Sequence, residues 1–215
     1  MDTPPLIGVV AHTARQTQAR NLARTVSAAV LSIDDGALGC DANHSRVWRA
    51  LLDLARSDQQ WLVVLEDDAQ PIPDFTRQLA HAFHWAPTPI VSLYLGTSRP
   101  PQHQPAIRRA IHNATRVGAA WITSPHLYHA VAAAIKAVDV AHMLPRLSAD
   151  PIDEAITHWA MRTRRRVSYT WPSIVDHTDQ PTLVQHRDRQ PRTKPRHAWS
   201  CGTPQWNATT VHIGW

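Results

Sequence analysis

A chain of 215 residues with 43% apolar and 18% charged side chains suits one packed core and excludes a disordered composition. The N-terminal MDTPPLIGVVAHTARQ lacks the basic and long apolar regions of a secretion signal. No stretch nears the roughly 20 apolar residues of a membrane span, and the two cysteines, Cys40 and Cys201, give neither a disulfide framework nor a zinc-finger spacing. Residues 1–107 carry 8 Lys+Arg against 10 Asp+Glu and residues 108–215 carry 14 against 7, so the net charge of +5 belongs to the second half. A soluble cytoplasmic protein with two reduced thiols is expected, and its basic half would face a polyanion or a phosphate-bearing ligand.

Leu6 to Ala11 (LIGVVA) reads as a buried parallel strand, and Thr13 to Ala28 as a helix with a polar face. Val30 to Ile33 predicts a second strand, ending in the turn signal Asp34-Asp35-Gly36. Asn43 would cap a helix from His44 to Ala55, with Val47, Leu51, Leu54 and Ala55 at helical spacing. Trp61 to Leu65 (WLVVL) is the strongest strand and runs directly into Glu66-Asp67-Asp68. Phe75 to Phe83 predicts a helix, and Ile90 to Leu95 a strand stopped by Gly96 and Pro100-Pro101.

In the second half, Ala119 to Thr123 predicts a strand, and Pro125 a helix running through the alanine-rich stretch to about Val138. Asp150-Pro151 opens a helix from Asp153 to Thr163, and Val167 to Trp171 is a strand ended by Pro172. Beyond His177 the chain is polar and proline-rich. Strands alternating with helices predict one α/β domain with a mostly parallel central sheet flanked by helices and an irregular, proline-rich C-terminal segment.

The chemistry concentrates in VVLEDDAQPIPDF, residues 63–75. Open α/β sheets place ligands outside the carboxyl ends of their strands, and clustered carboxylates there suit a hard cation that also holds a diphosphate.

This stretch resembles the DxD region of GT-A glycosyltransferases, especially the LEDDA motif of the lipopolysaccharide-type family 25 enzymes. GCDANHSRVWRALLDL (Gly39 to Leu54) is similar to that family's G-C…S-H…W helix, and GAAWITSPHLYHAV (Gly118 to Val131) to its G-x-x-A-Y-x-I-S strand and helix. PIDEAITHWA (151–160) and YTWPSIVDHTDQPTLVQHRD (169–188) resemble small phage and actinobacterial glycosyltransferases with a PSLVDH…PSLV ending, Thr182 standing where those have serine. The ordered set spans about residues 8–190.

The resemblance implies a catalytic domain over 1–190, with a donor-binding part over about 1–100 and an acceptor part over about 101–190, followed by a basic, irregular tail over 191–215. It implies Mn²⁺ or Mg²⁺ as cofactor and a nucleotide sugar, UDP-linked first, as donor. Asp68 would ligate the metal, with His177 or His186 as the distal ligand. Glu66 or Asp67 would face the ribose or hold the metal through water. His12 and Arg15 would meet the nucleotide, and Arg187, Arg189, Arg192, Lys194 and Arg196 would close over the diphosphate. Asp153, with Glu154 as second choice, would be the general base; acids in a first helical turn also serve the macrodipole.

The acceptor expected from the phage-like resemblance and the basic half is a hydroxylated base in DNA, gripped at Arg162, Arg164, Arg165 and Arg166, with Trp159, Trp171 and Trp199 as stacking candidates. Ser or Thr of virion proteins and a cell-envelope glycan are the other acceptor classes. Outside this class stand a non-catalytic nucleic-acid binder, disfavoured by three acids in the crevice, and a nucleotidyl- or phosphate-cleaving enzyme using the same metal site.

Overall fold

The computed structural model describes residues 3–179 and 195–214. One eight-stranded sheet organises them. In chain order its strands and helices are β1 (Leu6–His12), α1 (Gln16–Thr25), β2 (Val30–Asp34), α2 (Cys40–Leu54) and β3 (Trp61–Glu66). They continue with β4 (Ala69–Pro71), α3 (Phe75–Trp85), β5 (Ile90–Ser92), α4 (Gln104–Val117), β6 (Trp121–Ser124) and β7 (Ala132–Lys136). The last are α5 (Ala137–Met143), α6 (Ile152–Arg162), β8 (Val167–Thr170), β9 (Val175–His177) and β10 (Thr210–His212). The sheet order is β10-β6-β8-β5-β7-β3-β1-β2, with β4 and β9 forming a separate antiparallel pair.

Four of the seven pairings in the large sheet are parallel among the described residues: β1 with β2, β1 with β3, β5 with β8 and β6 with β10. Strand β7 runs antiparallel between β3 and β5. The sheet is therefore mixed, with its parallel block at β2-β1-β3, where the acidic motif ends.

Apolar helix faces cover both sides. Helices α2, α4, α5 and α6 pack on one face around Trp48, Ile107, Val140 and Trp159, and α1 and α3 on the other around Leu22 and Leu79. Leu62, Val63, Val64 and Leu65 of β3 are wholly buried, as a strand covered on both faces must be; each such side chain contributes about 1.5–3 kcal/mol. A Cβ on Gly8 of β1 would come within 2.5 Å of Val47 Cγ1, so the missing side chain sets how closely α2 lies on the sheet.

Three expectations are corrected. The alanine-rich stretch is a strand: Ala133 faces one core and Ala132 and Ala134 the other. Its small side chains fit between two helical layers, and ladder pairing on both sides outweighs alanine's helix propensity. Asn43 is not a cap. Helix α2 starts four residues earlier, with Gly39 as its N-cap, and Asn43 is buried inside it, its amide donating to Ala11 O at 3.1 Å and Ser32 O at 3.2 Å. The residues after 195, expected as an irregular tail, add β10 to the sheet edge, and Trp206 packs beside Trp121. Helix α4 lies in a stretch the sequence reading left without an element. It carries Pro105 in its first turn and ends at Gly118 in the left-handed conformation (φ 66°).

Candidate active site

Because β1, β2 and β3 are parallel, their carboxyl ends open on one side. Register brings His12 opposite Asp34, and Val10 opposite Glu66. Helix α2 begins just beyond β2, and α6 begins against it: Asp41 Oδ1 accepts the Ile152 N–H at 2.9 Å, so a side chain from α2 caps α6. A cleft of about 190 Å³ lined by Asp41, Ser45, Ser148, Asp150 and Ile152 lies between the two helices.

The acidic motif divides. Asp67 and Asp68 are buried and share one guanidinium: Arg15 Nη1 donates to Asp67 Oδ1 at 2.9 Å and to Asp68 Oδ2 at 2.6 Å. The His12 backbone N–H donates to Asp67 Oδ2 at 2.9 Å. His177, delivered by β9 through its pairing with β4, brings Nε2 to 3.3 Å from Asp68 Oδ2. Thr178 N–H donates to Asp68 O at 2.9 Å and pins the chain beyond β9 beside the motif. Glu66 stands apart, its Oε1 3.1 Å from His44 Nε2.

The two aspartates shift in opposite directions although they share Arg15. Burial raises the Asp67 carboxyl, and the His12 N–H and Arg15 offset this only partly. Burial also pushes Asp68 up, but the hydrogen bond and charge of His177 together with Arg15 and Arg196 outweigh it, so Asp68 stays below the usual carboxylate range. Asp68 is thus the better-prepared anion. Its Oδ1 and His177 Nδ1 are both buried without a hydrogen-bond partner. The open oxygen of Asp68 is a ligand of the kind Mn²⁺ or Mg²⁺ takes, while the open nitrogen of His177 is Nδ1, on the side of the ring away from its contact with Asp68.

Asp34 has a building role. It accepts the N–H groups of Gly36, Leu38 and Gly39 at 3.0–3.1 Å, shaping the loop from β2 to α2. Burial would raise its carboxyl, but the three donors bring it below its ordinary value. Asp153, half-buried in the first turn of α6, accepts the Glu154 N–H at 2.9 Å. Burial raises its carboxyl to about 7, with the charges of Glu66 and Glu154 adding to the rise. Asp153 therefore lies within electrostatic reach of Glu66, while Glu154 is exposed.

The structure brings His12, Arg15, Glu66, Asp67, Asp68, Asp153 and His177 to one side of the sheet. His186, Arg187 and Arg189 fall in 180–194 and lie outside the described residues; the flanking Asp179 and Arg196 pair at 3.4 Å. The basic cluster is elsewhere. Val167, which follows it, aligns with Ile90, and through Ile135 and Lys136 with the Trp61 end of β3, so Arg162–Arg166 occupy the edge opposite the crevice. Arg165 pairs with Asp139 at 2.6 Å and lies over the Trp159 ring, and Trp159 is 1% exposed, so the indole is part of the core.

Sequence reading missed the second group around Glu66: Cys40 and His44. Their signal was an i, i+4 spacing, visible only once α2 is started at Cys40 instead of His44.

The described residues form a mixed α/β domain with helices on both faces of one large sheet, an architecture consistent with a GT-A-like fold, and the acids stand at the carboxyl end of the parallel strands at one end of that sheet. Among solved structures it is similar to A197 from STIV, with a TM-score of 0.50 over 93% of this chain and 97% of that one, at 9% identity. That likeness is one of fold. No family model and no curated protein matches the chain.

Proposed function

We propose that the protein is a metal-dependent glycosyltransferase, moving a sugar from a nucleotide diphosphate, UDP first, to a hydroxyl on a modified base in DNA. The observation that supports it best is the division of labour at the end of β3. An ionised Asp68 with an unpartnered oxygen stands beside His177, and burial raises a second carboxyl, Asp153, to about 7. Asp68 and His177 would hold Mn²⁺ or Mg²⁺, which, when bound, neutralises the leaving diphosphate. Arg15, which pairs with Asp67 and Asp68, would take a phosphate oxygen of the donor with its guanidinium. Asp153 takes the proton of the acceptor hydroxyl as that oxygen attacks the anomeric carbon. DNA is proposed as acceptor because the excess positive charge lies in residues 108–215.

The test is release of nucleoside diphosphate from a panel of nucleotide sugars with Mn²⁺, read with the mass of candidate acceptors. Asp68→Asn keeps the shape and removes the charge, and transfer should fall by at least about 100-fold, on the order of losing one transition-state charge contact. Undiminished transfer by Asp68→Asn in a chelator would sink the metal mechanism. Sugar mass on a virion protein or an envelope glycan, with none on DNA, would move the acceptor and leave the transferase standing.

A further inference from the structure

The acids and the histidine of the Asp68 group account for half of the crevice. The other half contains Cys40, His44 and Glu66, each offering one ligand atom, all within 4.8 Å of one another. Cys40 opens α2, His44 stands one helical turn later on the same face, and Glu66 arrives from the end of β3. The burial is uneven. His44 is 1% exposed, while Cys40 and Glu66 are half-buried and reach the crevice. The imidazole is satisfied on one side only: Nε2 meets Glu66, and Nδ1 is buried without a partner. A divalent cation held by the three would supply the buried imidazole with an acceptor for the lone pair that has no partner.

We propose that Cys40, His44 and Glu66 form a second metal site, selective for zinc-class ions. The donor set decides the ion. One sulfur, one imidazole nitrogen and one carboxylate oxygen suit Zn²⁺ and disfavour Mg²⁺, which takes oxygen ligands. Thiolate and carboxylate together offset the two charges of the ion. Binding replaces the S–H bond by an S–metal bond and releases the proton to solvent. Three protein ligands leave a fourth position for water or a hydroxyl, the arrangement in which zinc makes a bound hydroxyl more acidic. The proposal does not depend on the glycosyltransferase reading.

Co²⁺ is the probe, because thiolate-to-cobalt charge transfer gives a near-ultraviolet band that oxygen and nitrogen ligands do not. The chelator-treated full chain should bind one equivalent of Co²⁺ with this band, and Zn²⁺ should displace it. Cys40→Ser should abolish the band, and Glu66→Gln should weaken cobalt affinity by about 10–100-fold or more, the scale of a perturbed ligand sphere. Asp68→Asn and Cys201→Ser should keep the band, separating this site from the Asp68 group and from the other thiol. Circular dichroism of each variant shows that it is folded. Absence of the band in the wild-type chain, its survival in Cys40→Ser, or its loss in Cys201→Ser or Asp68→Asn would overturn the proposal.

Discussion

At the scale of single residues, the site is organised by what surrounds each carboxylate. Five acids, Asp34, Glu66, Asp67, Asp68 and Asp153, have five different sets of partners, none of which is visible in the sequence, where three of the five are simply adjacent. Asp153 gives the clearest consequence. A general base must be ionised, so with its carboxyl at about 7 the value of kcat/KM should rise about tenfold per pH unit up to that point and level above it. Asp153→Asn should remove this limb and lower turnover while leaving donor affinity intact. The same group has a stability signature of the opposite sense. Its folded value lies above the roughly 3.9 of an unfolded aspartate. The folded state therefore keeps a proton that the unfolded chain has released, and stability falls as pH rises from about 4 to about 7. Denaturant melts across that window should flatten in Asp153→Asn. A wild-type rate profile without a limb near 7 would remove Asp153 from the role of base.

At the scale of elements, the helices that carry chemistry are placed by polar contacts as much as by apolar faces. Sequence periodicity found α1, α3 and α6 to within a few residues, and β1, β2 and β3 nearly to their ends, because each has an unbroken pattern. It placed the start of α2 wrongly because Gly39 leaves no side-chain cap signal, and that error concealed Cys40 and His44. It read β7 as a helix because alanine packing between layers depends on neighbours that sequence does not display. The Asp41 cap on α6 is a contact of this non-local kind. Asp41→Ala should cost about 1 kcal/mol, as a lost N-cap does. It should also lower turnover more than stability, because the first turn of α6 sets the position of Asp153. Thermal melts and kinetics on the same preparation check both parts. A second prediction concerns the far end of α6. Arg165→Ala strands the buried Asp139, and should destabilise by about 2–4 kcal/mol without changing donor turnover in the folded fraction.

For the whole molecule, charge and shape part company. The sequence located the excess of positive charge correctly in residues 108–215, but the sheet turns its densest cluster away from the crevice. Arg162 ends α6 and Arg164 and Arg166 follow it, and a helix of this length carries them some 15 Å from Asp153. The remaining basic residues of that half include Arg187, Arg189, Arg192 and Lys194, which lie outside the described residues. If DNA is the acceptor, its phosphates are met from this second set. Single-stranded DNA binding should weaken with salt by about 0.7 in the log–log slope for each phosphate neutralised. Arg192→Ala with Lys194→Ala should therefore lower the slope by about 1.4, whereas Arg164→Ala with Arg166→Ala should leave both the slope and donor hydrolysis unchanged. Fluorescence anisotropy of an oligonucleotide carrying a hydroxymethylated base, titrated at a series of salt concentrations, reads both variants. Equal losses from the two pairs would mean a diffuse field acting over the whole basic half, and a loss confined to Arg164 and Arg166 would place the DNA on the edge opposite the crevice, where no acid of the β3 motif reaches it. Either result would break the link drawn between the charge of the second half and the chemistry at Asp68.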